Sequence, residues 1–116
     1  ILLLADSKSL LQVFTNLLEN CFRYTDRNGM VNIRVKESKA QVIILIEDSA
    51  PGVPSEALPK LFDRLYRVDK SRNRTNGGSG LGLSICQKII MAHNGTITAS
   101  HSPLGGLLIT ISLPKQ

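Results

Sequence analysis

The sequence of 116 residues has no tryptophan, three phenylalanines, two tyrosines and two cysteines. It also has no apolar stretch near the roughly 20 residues of a membrane-spanning helix, so we expect no segment that inserts in a membrane. Cys21 and Cys86 have neither CxxC nor metal-ligand spacing, which favours buried thiols in a reducing compartment over a disulfide framework. Length and 42% hydrophobic content predict one domain over residues 1–116.

The positive charge is concentrated in one segment. The net charge is +5, and six basic against two acidic residues lie between Lys60 and Asn76. From Leu65 to Gly80 the hydrophobicity is low and no period is visible, which predicts a long mobile loop. Tyr66 lacks the further aromatic residues on which bases stack, so we expect no nucleic-acid partner and interpret this segment as a cationic flap over a phosphate ligand.

Hydrophobic periodicity predicts three helices and four strands. The helices are expected from Asp6 to Tyr24-Thr25, from Ser55 to Phe62, and from Leu81 to Ala92 before His93-Asn94-Gly95. The strands are expected at Met30–Glu37, Gln41–Ile46, Thr96–Ser100 and Leu107–Leu113, the first half exposed and the second buried, with a turn near Ser38-Lys39. Helices that alternate with antiparallel hairpins predict an α+β two-layer sandwich.

Three glycines stand at alternate positions before the last helix, in Gly78-Ser79-Gly80-Leu81-Gly82. Glycines let the backbone approach an anion, and the first N–H groups of a helix point at it, so this run suits phosphate. A flexible linker or a helix cap is the alternative. No lysine precedes a Ser or Thr here, the spacing is not GxGxxG after a strand, and the chain has no H-R-D or D-F-G, which excludes the Walker, dinucleotide-binding and protein-kinase motifs.

Two asparagines and an arginine share one face of the first helix. Asn16, Asn20 and Arg23 lie four and three residues apart. A solvated surface is one interpretation, but asparagine is a poor helix former, and its carboxamide oxygen suits a hard cation such as Mg²⁺. Arg23 would then reach phosphate oxygens.

Asp48 ends the buried strand, before Ser49-Ala50-Pro51-Gly52. It could simply initiate a turn. An ionised carboxylate only accepts hydrogen bonds, so it could also select the exocyclic amino group of adenine and favour ATP over GTP.

These blocks stand in a recognisable order: Asn16–Asn20, Arg23–Thr25, Asp48–Gly52, Phe62–Tyr66 and Gly78–Gly82. They resemble the N, G1, F and G2 boxes of the catalytic and ATP-binding domain of sensor histidine kinases, in the superfamily that includes Hsp90, MutL and gyrase B ATPases. Asp48–Gly52, His93–Gly95 and His101–Gly106 are similar to one envelope-stress sensor of this group. The resemblance implies a Bergerat-type fold, a mixed but mostly antiparallel sheet covered by helices on one face.

The resemblance also implies roles in binding Mg²⁺ and ATP or ADP. Asn20 would ligate Mg²⁺ with Asn16 supporting it, and Tyr24 would stack on adenine. Asp48 would bond the adenine amino group, and Gly52 would let the backbone pass close to the base.

A further set of residues would surround the phosphates: Arg23, Arg67, Arg72, Gly78, Gly80, Leu81 and Gly82. Phe62 would anchor the lid. Asn16, Asn20 and Arg67 would take part in the transfer step itself.

Two positions depart from the family pattern. Ala50 replaces the first glycine of Asp-x-Gly-x-Gly, which is tolerable only with negative φ. Leu107 replaces a threonine that often follows the glycine pair, and Gly105 and Gly106 are assigned to a turn only.

His93 and His101 are the two histidines, and both are interpreted as structural. The resemblance therefore implies a phosphoacceptor histidine on a dimeric helical domain elsewhere in a longer kinase, and a downstream response regulator. This fragment would be a cytoplasmic domain without membrane contact, its parent lying in the bacterial inner membrane.

Two alternative functions remain. One is a hydrolytic ATPase or clamp, for which Glu19 is the nearest base although it lies about 100° off the asparagine face. The other is a nucleotide-sensing module, which Ala50 suggests.

Overall fold

The computed structural model describes residues 7–24, 29–49, 53–63 and 82–115. In chain order their elements are helix α1 (Ser7–Tyr24), strands β1 (Val31–Glu37) and β2 (Gln41–Ser49), a 3-10 helix (Ser55–Lys60), helix α2 (Gly82–Ala92), and strands β3 (Thr96–His101) and β4 (Gly105–Pro114). Asp6, the predicted start of the first helix, and the predicted loop from Leu65 to Gly80 lie outside the described residues.

The strands form one sheet in the order β1-β2-β4-β3. Each neighbouring pair among them is antiparallel. The chain leaves the sheet after β2, passes through the 3-10 helix and α2, and returns as β3 and then β4, which pairs with β2. The predicted α+β class and the mostly antiparallel sheet are confirmed.

One face of the two central strands forms the floor of the core. Buried side chains alternate with half-buried ones such as Ile43 and Leu45 along β2, and none of its residues is exposed, so the prediction of a buried strand is confirmed. Cross-strand register places the buried residues of β2 beside buried residues of β4: Val42 with Leu113, Ile44 with Ile111, and Ile46 with Ile109.

Both α-helices pack on this floor through one stripe each. In α1 the buried apolar residues are Val13, Leu17 and Cys21, spaced four apart and thus on one side of the helix. Phe14 is partly buried and packs against this stripe of the core. In α2 the apolar residues Cys86 and Ile90 are buried. The Cys86 thiol donates a hydrogen bond of 3.6 Å to the Val13 carbonyl, which joins the two helices.

The edge strand β1 is exposed along its whole length, so the prediction of a half-exposed strand was wrong. Its register with β2 places Ile33 beside Ile46 and Val35 beside Ile44, on the core side of the sheet. Ile33 and Val35 are nevertheless 55% and 54% exposed, so no described element covers this edge of the sheet.

The predicted end of the last helix at His93-Asn94-Gly95 is confirmed. Asn94 has φ of 62°, the Asn94 N–H donates to the Met91 carbonyl (3.0 Å), and the Gly95 N–H donates to the Ile90 carbonyl (2.9 Å). These are the two bonds of a Schellman motif, in which asparagine takes the left-handed position. The motif turns the chain directly into β3.

Candidate functional site

Asp48 lies at the end of β2 and is 1% exposed. The pairing of β2 with β4 shifts register between Glu47 and Ser49, so Asp48 falls at an irregularity of the ladder. Its Oδ1 accepts a hydrogen bond of 2.8 Å from the backbone N–H of Leu107. A carboxylate has about four acceptor positions, and the Leu107 N–H takes one of them.

Gly106 is the residue of β4 that lies against this carboxylate. A Cβ at Gly106 would come well within 3.0 Å of Asp48 Oδ1 and of the carbonyl oxygens of Asp48 and Ser49. The assignment of Gly105 and Gly106 to a turn only was therefore wrong. Both belong to β4, and the missing side chain of Gly106 makes room for Asp48.

Cys21 contacts Asp48 from the helical layer. Its buried thiol donates a hydrogen bond to the carboxylate, and burial together with the negative charge of Asp48 raises the pKa of Cys21 to about 12. The thiol is therefore protonated at neutral pH and acts as a donor rather than a nucleophile. Asp48 is thus held between α1 and β4.

Asn20 precedes Cys21 and is 7% exposed. A solvated surface, the alternative interpretation of the asparagine face, is contradicted at this position. Within the described part of the chain, no hydrogen bond joins the Asn20 carboxamide to another group. A buried amide without a partner costs free energy, and a hard cation is one ligand that would satisfy its oxygen.

Asn16 lies one turn earlier in α1 and reaches the start of α2. Its Nδ2 donates a hydrogen bond of 3.5 Å to the carbonyl of Gly82, the last glycine of the run. Nothing lies within 4 Å of a Cβ added to Gly82, so packing alone does not require glycine there. The first N–H groups of α2 have no intrahelical acceptor, which makes this end suitable for an anion.

α1 therefore connects two chemically different positions. Asn16 is beside Gly82, and Cys21 is beside Asp48. Five residues of helix separate them by about 7.5 Å along the axis. Asn20 lies between them, next to Cys21.

Several predicted site residues fall outside the described residues: Gly52, Arg67, Arg72, Gly78, Gly80 and Leu81. Arg23 and Tyr24 form the last turn of α1, but their side chains are not described. Phe62 is partly buried against the core, a position compatible with an anchor for the segment that follows it.

The sequence interpretation missed Cys21, Gly106 and the Leu107 N–H. The glycine pair before an apolar strand was the available signal for close backbone approach.

The two histidines make structural contacts. His93 Nδ1 is 2.8 Å from the carbonyl of Ile89 at the end of α2, and His101 Nε2 is 2.9 Å from the hydroxyl of Ser55. The described residues contain no group of three or more His, Cys, Asp or Glu side chains that could hold a metal ion. A cation here would instead depend on carboxamide oxygen.

Comparison with known proteins decides the family. Residues 5–116 match the model of the histidine kinase-, DNA gyrase B- and HSP90-like ATPases. The chain belongs to this ATPase family. It is 52% identical over 111 residues to the signal transduction histidine-protein kinase BaeS of Escherichia coli K12, covering 96% of this chain and 24% of BaeS.

Two solved structures show that this ATPase domain has the fold of histidine kinase catalytic domains. The mycobacterial sensor histidine kinase MprB superposes with a TM-score of 0.83 at 26% identity, covering 97% of this chain and 76% of that one. The catalytic domain of histidine kinase ThkA gives a TM-score of 0.81 at 32% identity, covering 96% and 70%. The resemblance to sensor histidine kinases, and to the Bae stress sensor in particular, is confirmed.

The ATPase domain spans about a quarter of the length of BaeS. Within the residues that the structure describes, neither α-helix combines the length and apolar composition needed to cross a membrane.

Proposed function

We propose that this domain binds ATP with Mg²⁺ and donates the γ-phosphate to a histidine on a separate helical domain of the same kinase. The observation that carries the proposal is the buried Asp48 carboxylate, held by β4 and by Cys21 of α1, whose neighbour in sequence, Asn20, is also buried. We take residues 1–116 to be one catalytic domain of a longer sensor kinase.

Asp48 is assigned to the adenine amino group. A carboxylate accepts from that amino group and cannot donate, so it favours adenine over guanine, which presents a carbonyl oxygen at the same position. Burial supports this role, because removal of water strengthens the discrimination between a paired and an unpaired polar group. Tyr24 as a stacking partner and Gly52 as a passage for the backbone complete the proposed base site.

Asn20 is assigned to Mg²⁺, with Asn16 supporting it. The donor set fits the ion, since a buried carboxamide oxygen is a hard ligand and Mg²⁺ takes few protein ligands beside water and substrate phosphates. When bound, the ion would neutralise charge on the phosphates. Asn16 adds a link to the start of α2, where N–H groups would receive phosphate oxygens.

The remaining phosphate contacts are assigned to Arg23, Arg67, Arg72 and the backbone of Gly78, Gly80, Leu81 and Gly82. Phe62 is assigned as the anchor of the lid, which its packing against the core supports. Arg67 would stabilise negative charge as it develops on the transferred group.

In the transfer step, an imidazole nitrogen of the acceptor attacks the γ-phosphorus in line with the bond to the β-phosphate oxygen. The N–P bond forms, the P–O bond breaks, and ADP leaves with the electron pair. The proton on the other imidazole nitrogen is then released to solvent. Almost all of the catalysis is positioning and charge stabilisation, so the domain needs no base of its own.

The acceptor is placed on another domain because His93 and His101 are both engaged in structural contacts. A response regulator would then receive the phosphate, as supported by the structure of ThkA in complex with the response regulator TrrA, whose kinase has a TM-score of 0.77 and 29% identity to this chain. We place the domain on the cytoplasmic side of a parent kinase held in the inner membrane, where ATP and reduced thiols occur.

Hydrolysis is the weaker alternative. It would need a base that activates water, and Glu19 points to solvent while its neighbour Asn20 is buried. A carboxylate on the exposed side of α1 is not directed toward the Asp48 side.

Labelling with γ-³²P-ATP tests the transfer proposal. The chain incubated alone should remain unlabelled, and the addition of the dimeric phosphoacceptor domain of its parent kinase should place acid-labile label on that domain. Label on His93 or His101, or steady phosphate release that Glu19→Ala abolishes, would contradict the proposal.

A further inference from the structure

The start of β4 forms a fitted support for the Asp48 side chain. The Leu107 N–H donates a hydrogen bond to Oδ1 of Asp48. Gly106, the residue before Leu107, has no side chain, and a Cβ there would overlap the same oxygen. This support consists of backbone atoms, so holding Asp48 does not require a particular side chain at position 107. This explains how leucine is accommodated where family members often have threonine.

The turn before β4 fixes the position of this support. The Ser102 N–H donates to the Gly106 carbonyl (2.8 Å), and the Gly105 N–H donates to the Ser102 carbonyl (2.9 Å). Gly105 has φ of 102°, a conformation that side chains rarely adopt. The backbone at Gly106 is thus held from the turn on one side and by pairing with β2 on the other.

The β2 backbone has little freedom to move away from a larger residue at position 106. The carbonyls of Asp48 and Ser49 are the other two atoms that a Cβ would meet, and Ser49 is itself bonded to Met30 through both its backbone N–H (3.0 Å) and its Oγ (2.9 Å). A substitution would therefore displace the Asp48 carboxylate rather than leave it in place.

We propose that Gly106 is a specificity-determining positioning residue, which allows the Leu107 N–H to hold the Asp48 carboxylate in the orientation that selects adenine. Gly106 does not touch the nucleotide and acts through Asp48. The inference rests on the proposed adenine-binding role of Asp48.

The test compares the affinities of ADP and GDP for four proteins by calorimetry: wild type, Gly106→Ala, Gly95→Ala and Asp48→Asn. Gly95 is the matched control because a Cβ there would also crowd β4, at the Ser112 carbonyl and at Leu113 Cδ2 (2.9 Å), but far along the strand from Asp48. We expect Gly106→Ala to reduce the ADP-to-GDP affinity ratio about tenfold or more, as Asp48→Asn does, and Gly95→Ala to keep the wild-type ratio in its folded fraction.

The results distinguish the positioning role of Gly106 from the adenine-binding role of Asp48. A Gly106→Ala ratio equal to wild type, with the Asp48→Asn ratio lowered, overturns the positioning role and leaves the adenine role intact. An unchanged ratio in Asp48→Asn overturns the proposed function itself.

A measurement on folded protein covers the case in which Gly106→Ala does not fold. In wild type, the Leu107 amide signal should shift when ADP is added and should not shift with ribose 5-phosphate. Its hydrogen exchange should accelerate in Asp48→Ala, whereas exchange at Ile109 should not. No ADP-dependent shift, or unchanged exchange at Leu107, would contradict the proposal.

Discussion

The Asn16 carboxamide donates a hydrogen bond of 3.5 Å to the carbonyl of Gly82, which joins the middle of α1 to the first residue of α2. This bond places a polar residue of the first helix at the end of the glycine run. Further along α1, Cys21 contacts Asp48 from the buried side of the helix. Two separate sequence blocks therefore meet along one helix.

Asn16→Ala should weaken the binding of ADP and leave the binding of adenosine unchanged. Asn16 lies at the α2 end of the site, where we place phosphate. Loss of its hydrogen bond to the Gly82 carbonyl should lower the binding free energy of ADP by about 0.5–1.5 kcal/mol. Calorimetry with both ligands checks this. Gln12→Ala, at an exposed position one turn earlier in α1, is the control and should change neither affinity. Equal loss for adenosine would place Asn16 at the base instead.

The helices and the hairpins could be predicted from the sequence because their apolar residues repeat at helical or alternating spacing. β2 continues to Ser49, beyond the predicted Ile46, because its last residues bond to β1 and β4 rather than because of their own pattern. The short helix is 3-10 in form, with Pro54 before it and Pro59 inside it. Proline has no N–H to close an α-helical turn.

The positions of Asp48, Asn16 and Asn20 could be proposed from residue type and spacing, but their surroundings could not. That Asn20 is buried depends on the helical layer, and that Gly106 meets Asp48 depends on pairing between strands more than 50 residues apart in sequence. The full exposure of β1 could not be predicted for the same reason, because it depends on which helices extend over the sheet edge.

Asn20→Ala should abolish the effect of Mg²⁺ on nucleotide affinity without a large loss of stability. The expected reduction in the Mg²⁺-dependent enhancement is at least about tenfold, since contacts to charged groups contribute about 1.5–3 kcal/mol. Removal of a buried amide that has no partner in the described residues should lower the free energy of unfolding by no more than about 1 kcal/mol.

Titration of an ATP analogue with and without Mg²⁺, together with urea denaturation, measures both effects in Asn20→Ala. Asn32→Ala, at an exposed position of β1, serves as the control. A strongly destabilised Asn20→Ala that still responds to Mg²⁺ would show that Asn20 is structural.

Stability should fall as the pH rises above 9, because both thiols are buried. Burial raises the pKa of Cys21 from 9.0 to about 12 and that of Cys86 from 9.0 to about 11. Above pH 9 the unfolded chain loses these protons while the folded chain keeps them, so the free energy of unfolding decreases with pH. The slope is at most about 1.4 kcal/mol per pH unit for each thiol.

Urea denaturation between pH 9 and pH 11 measures this slope. The double variant Cys21→Ala, Cys86→Ala should be less stable at neutral pH, because it loses buried side-chain atoms, but should have a shallower slope. An identical slope in the variant would assign the alkaline loss to other groups.

Calorimetric titration of a non-hydrolysable ATP analogue, with Mg²⁺, into wild type and Asp48→Asn measures whether Asp48 holds the adenine of ATP. Glu37→Gln, the same carboxylate-to-amide change at an exposed residue paired with Lys115, is the control. We expect wild type and Glu37→Gln to bind equally and Asp48→Asn to lose about 1–3 kcal/mol of binding free energy. Equal affinity in Asp48→Asn and wild type, or no binding by wild type, would contradict it.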